Sequence, residues 1–105
     1  MSDATESVLR DIAAERAAQD ALFGQQDFPD GTGEPFRRGV ADRYRQACDA
    51  AFAEGRGTFR DVFLEEVFEA MAENDPERLR AELVQAVAVG VKWIEAIDRR
   101  GAAHG

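Results

Sequence analysis

The sequence is poor in the residues that usually carry redox chemistry, metal cages or covalent staples. It has one cysteine, one histidine, one tryptophan and one tyrosine in 105 residues. The lone cysteine, Cys48, has no partner for an internal disulfide and cannot build a structural zinc site. A reduced, cytoplasmic setting is therefore expected. The only histidine, His104, stands at the C-terminal end, so iron sites built from helical Glu-x-x-His pairs are not supported. Long hydrophobic runs are missing too. Ala86–Val91 is the longest, far too short to span a bilayer, and the opening MSDATES lacks the basic and apolar stretches of a signal peptide. Positive charge is scarce, with 13 Lys and Arg against 21 Asp and Glu and a net charge of -8. That argues against nonspecific binding to nucleic acid, which rests on neutralising phosphates. It is compatible with a divalent cation, or with a phosphorylated ligand that brings its own metal.

Hydrophobic residues (45%) and charged residues (32%) are nonetheless in an ordinary globular balance, and the length suits one domain over residues 1–105. Four segments carry helical periodicity and none reads as a strand. The first helix is expected from about Thr5 to Phe23 and the second from about Phe36 to Glu54. A third begins at Thr58, where TFRD resembles a capping box with Asp61 in the acceptor place, and runs to about Glu73. In NDPER, Asp75 is placed to cap and Pro76 to occupy the first position of a fourth helix, ending near Arg100. Residues 101–105 read as a flexible tail. Short connections between long helices predict an all-α, four-helix-bundle-like fold. The exception is Gly24–Phe36, a loop rich in Gly and Pro and long enough to suggest function. Phe23, Phe28 and Phe36 are candidates to anchor it.

The charges of FLEEVFEAMAENDPERLRAELVQ are arranged unevenly. On a helical projection Glu65, Glu66, Glu69 and Glu73 share one stripe of roughly 100°, with Val62 in its middle and apolar residues covering well over half of the circumference. A solvated face is the ordinary reading of such a stripe. Glu82, thirteen residues after Glu69, does not fit that reading, because it projects inside the apolar arc of its own helix. A carboxylate there must be paired, protonated or bound to metal. Two alternatives stand: a salt bridge to an arginine of the first or second helix, such as Arg16 or Arg43, or a site shared with the stripe. Convergent carboxylates would favour a divalent cation, and oxygen-only ligands suit Mg²⁺ or Mn²⁺.

EEVFE (Glu65–Glu69), followed after twelve residues by ELVQ (Glu82–Gln85), resembles the EExxE…ExxD signature of MazG-like, all-α nucleoside triphosphate pyrophosphohydrolases. FGQQDFPDGTG (Phe23–Gly33) is similar to the WGxQxHPDGTG-type segment of small phage and actinobacterial members, and the end, ELVQAVAVGVKWIEAIDRR, is similar as well. The resemblance implies Mg²⁺-dependent hydrolysis of an NTP or dNTP to the monophosphate and pyrophosphate. By position it makes Glu66, Glu69, Glu82 and Gln85 metal ligands, with Glu65 orienting or activating water. It also implies a homodimer or homotetramer.

Lys92, two turns beyond Gln85, is a candidate phosphate contact, or simply a solvated lysine at the border of the apolar arc. Gln26 and the aromatic rings of Phe23 and Phe28 are candidates to meet the nucleotide, the rings also being candidate core anchors. The chain departs from the pattern at three places. Gln85 stands where the family has a metal-binding aspartate, which removes one negative charge from the site. Phe23 and Phe28 replace Trp and His. The alternative function is a catalytically weak or inactive helical module that binds nucleotide or a partner protein.

Overall fold

A computed structural model describes residues 1–104; Gly105, the last residue of the tail expected to be flexible, lies outside the described residues. The chain is all-α. Its four helices are α1 (Asp3–Phe23), α2 (Pro35–Ala53), α3 (Phe59–Met71) and α4 (Pro76–His104), and no strand occurs among the described residues. The helix ends follow local chemistry. Ser2 caps α1 by accepting from the Thr5 amide at 3.2 Å. Thr58 and Asp61 form a reciprocal capping box at the start of α3, which satisfies two amides that have no partner inside the helix. The short hydrogen bonds from Thr58 hold the Asp61 carboxyl below its ordinary value. Asp75 accepts from the Arg78 amide at 3.0 Å, and Pro76 takes the first position of α4.

Helix α4 runs past the Arg100 boundary expected from sequence and continues to His104. Gly101 costs a helix about 1 kcal/mol relative to alanine, but the alanines that follow are the best helix formers and carry the helix through it.

The chain divides into two compact units, Met1–Asp30 with Val91–Gly105, and Gly31–Gly90. In the first, Val8, Val91 and Ala96 are buried, and the Thr5 hydroxyl donates to Glu95 at 3.0 Å. In the second, Ala41, Cys48 and Ala51 of α2 and Ala70 of α3 are buried, with Leu79 and Ala86 from the first part of α4. These are mostly small side chains, so helix axes can approach closely. The rings of Tyr44 and Phe68 stack between α2 and α3, 4.3 Å apart and 12° from parallel.

The phenylalanines proposed to anchor the long loop do not do so. Phe23, Phe28 and Phe36 are 60%, 75% and 62% exposed. Phe36 is instead covered on one face by the Arg37 guanidinium, 5.0 Å from the ring centre. Backbone chemistry fixes the end of the loop. The Gly33 amide donates to the Met71 carbonyl at 2.9 Å and the Thr32 hydroxyl to the Glu73 carbonyl at 2.8 Å. These supply partners that the last turn of α3 lacks within its own helix. Gly33 has φ of 86°, and a Cβ there would lie 1.6 Å from the Asn74 side chain and 3.2 Å from its Cα, so this close approach requires glycine.

Candidate functional site

The carboxylates of α3 are not a solvated face. Every residue from Asp61 to Glu69 is half-buried, and the side chains of Glu69 and Glu73 retain only 18% and 19% of their exposure. Glu65 and Glu69 lie one turn apart on α3 and face α2; the helix ends at Met71 rather than near Glu73, so Glu73 meets α2 from the segment just past it. At Glu65 the partner is Cys48, whose thiol donates a hydrogen bond to the carboxylate. Burial, this bond and the charges of Glu65, Asp61 and Asp49 push the thiol up to about 11. Cys48 is therefore a thiol at neutral pH.

At Glu69 the partners are arginines. Arg38 Nη1 donates to Glu69 Oε2 at 2.9 Å, while Arg45 Nη1 lies 3.5 Å from Glu69 Oε1. Both oxygens of Glu69 are thus engaged. Arg38 also reaches Glu73 at 3.5 Å, and Arg45 donates to Asp42 at 2.6 Å. Each guanidinium is shared between two carboxylates, and Glu69 is common to both. Sequence reasoning missed these arginines. Their seven-residue spacing puts them on one face of α2, but that helix carries four arginines, and the sequence does not say which of them meet α3.

Glu66 differs from Glu65 and Glu69. Its carboxyl is raised above the ordinary glutamate value, first by burial and then by the negative charges of Glu65, Glu82 and Glu69. Glu82 on α4 is half-buried, as its position inside the apolar arc implies. The arginines considered as its partners are occupied elsewhere: Arg43 donates to the Gly39 carbonyl at 3.5 Å, and Arg16 pairs with Asp20 at 2.9 Å. Among the described residues, no ion pair holds Glu66 or Glu82. Gln85, one turn beyond Glu82, is exposed.

Among the described residues, no group of three or more His, Cys, Asp or Glu side chains is gathered so as to hold a metal ion. The pairings above supply a physical reason, since Glu65 and Glu69 are drawn to α2 while Glu66 repels its neighbours. In chemical kind the donors fit a hard divalent cation. They are all oxygen, and negative charge around Glu66 and Glu82 is left unbalanced. Glu66 and Glu82 are the residues that would hold such an ion, while Glu69 is engaged by Arg38 and Arg45.

The remaining candidates belong to the other compact unit. There Lys92, Phe23, Gln26 and Phe28 are all exposed. No helix among the described residues is long and apolar enough to cross a membrane. Compared with known proteins, the chain matches no family model, and no curated protein or solved structure is significantly similar to it.

Proposed function

We propose that the protein is a Mg²⁺-dependent nucleoside triphosphate pyrophosphohydrolase of the MazG-like kind, cleaving an NTP or dNTP to the monophosphate and pyrophosphate in the cytoplasm. One observation carries this reading: a half-buried glutamate, Glu66, raised by burial and by the charges of three further carboxylates, with no arginine or lysine paired to it among the described residues. Such an arrangement is costly unless a cation relieves it. The EExxE…ExxQ spacing supplies the reaction class. Mg²⁺, or Mn²⁺ in its place, would neutralise phosphate oxygens and make a water more acidic.

The chain's own residues divide the rest of the work. Glu66 and Glu82 provide oxygens for the ion. Glu65 is steadied by the Cys48 thiol and is left with a second oxygen to orient the attacking water. Gln85 contributes a neutral amide oxygen, which gives a weaker ligand than aspartate. From the resemblance alone, Lys92, Gln26, Phe23 and Phe28 stay candidates for nucleotide contact, each exposed in its own unit. Self-association into a homodimer or homotetramer is supported by apolar side chains left exposed on α4, among them Leu83, Val84 and Val87.

The test is incubation with each NTP and dNTP plus Mg²⁺, with pyrophosphate assayed separately from orthophosphate. Pyrophosphate release from at least one nucleotide is expected, and release from none overturns the reading. A second reading, a helical module that binds nucleotide or a partner protein without turnover, is favoured by the double engagement of Glu69. Mg²⁺ or nucleotide raising the melting temperature without cleavage would select it.

A further inference from the structure

We propose that Arg38 and Arg45 are exchangeable counter-ions, holding Glu69 while the protein is free and passing to the phosphate oxygens of the substrate when Glu69 is recruited as a ligand. The inference rests on the reading above, and deepens it by naming residues that recognise the phosphate chain.

Three observations carry it. Both oxygens of Glu69 are engaged by guanidinium groups, so this carboxylate cannot enter a metal's coordination shell without losing at least one of them. Neither arginine would be stranded by release, because Arg38 keeps Glu73 and Arg45 keeps Asp42. Both arginine side chains are about half exposed, at 47% and 48%, so an incoming anion can reach them without unfolding the helix. The planar fork of arginine donates to phosphate as it does to carboxylate, which makes the exchange one of like for like. The two side chains lie two turns apart on one face of α2, so they offer separate contacts along an extended polyanion. Glu69 thereby serves as the substitute that keeps the phosphate-binding cations in place.

The test uses the full chain and two probes, Mn²⁺ alone and inorganic tripolyphosphate with Mg²⁺, each followed by calorimetry. Arg38→Gln and Arg45→Gln are compared with Arg43→Gln, which removes the same charge from the same helix but does not touch Glu69. Loss of a competing salt bridge should raise Mn²⁺ affinity about three- to tenfold in the first two variants and less than twofold in the third. Tripolyphosphate affinity should move the opposite way, falling about tenfold or more in the first two only. Arg38→Lys and Arg45→Lys keep the charge without the fork and should fall between. Circular dichroism confirms that each variant is folded.

The proposal is overturned if Arg38→Gln and Arg45→Gln track Arg43→Gln on both probes, or if both affinities move together. If the wild type still releases pyrophosphate in that case, only the exchange is lost. A wild type that neither binds Mn²⁺ nor releases pyrophosphate removes the enzymatic reading and this inference with it.

Discussion

Helices α1 and α3 both carry many charges, yet the charges act differently. On α1, Arg16 pairs with Asp20 one turn away and also meets Gln19, which in turn meets Glu15, all in solvent. With both partners more than half exposed, such a pair is worth well under about 1 kcal/mol. On α3, Glu69 is largely covered and its partners come from another helix, thirty-one and twenty-four residues earlier in the chain. The first arrangement decorates a helix; the second ties two helices together and leaves Glu66 unbalanced beside them. Charge content alone does not separate the two. Burial and the origin of the partner do.

The largest expected effect separates the helices by activity. Glu66→Gln should cut pyrophosphate release by about a hundredfold or more, while Asp20→Asn should leave it within about twofold. Equal effects would erase the distinction. A smaller effect separates them by stability. Arg38→Ala leaves two half-buried carboxylates with fewer partners and should cost about 1 kcal/mol in urea denaturation. Arg16→Ala should stay within about 0.5 kcal/mol.

The smallest effect is in pH dependence. The folded carboxyl of Glu66 is raised above its unfolded value, so the fold binds the proton more tightly than the unfolded chain does. Stability therefore falls as pH rises from the unfolded value through the raised one, and the loss is complete above it. Without metal, Glu66→Gln should raise the melting temperature slightly at pH 7 and leave it unchanged near pH 3. Asp20→Asn should show no such divergence. A Glu66→Gln variant less stable than wild type at pH 7 would show that the carboxylate is engaged rather than repelled.

Local signals in the sequence were enough for most of the helical frame. Thr58 with Asp61, and Asp75 with Pro76, mark helix starts because their chemistry operates within three residues. The half-buried setting of Glu82 was also legible, since a helical projection needs only the helix itself. What was not legible depends on which faces meet. The arginines of α2 are equivalent in the sequence, and only the packing of Tyr44 on Phe68 and of alanines between α2 and α3 selects Arg38 and Arg45. The loop phenylalanines misled for a related reason. Aromatic rings usually seek a core, but Phe23 and Phe28 stay exposed in one unit, and in the other Phe36 is covered by an arginine on the surface. The double engagement of Glu69 had no sequence signal at all.

The hydrogen bonds from Gly33 to the last residue of α3 and from Thr32 to Glu73 just past it make an anchor shortly before α2 begins. From Pro35, the first residue of α2, it is three residues to Arg38 and ten to Arg45, roughly 5 Å and 15 Å along the helix axis. Helix α2 is held at that near end by these bonds, and further along by the Tyr44–Phe68 stack and its buried small side chains. The looser 3.5 Å contact to Glu69 is the one farther from that end, and the 2.9 Å contact is the one nearer it. The grip on Glu69 is therefore graded: close on the Arg38 side and looser on the Arg45 side.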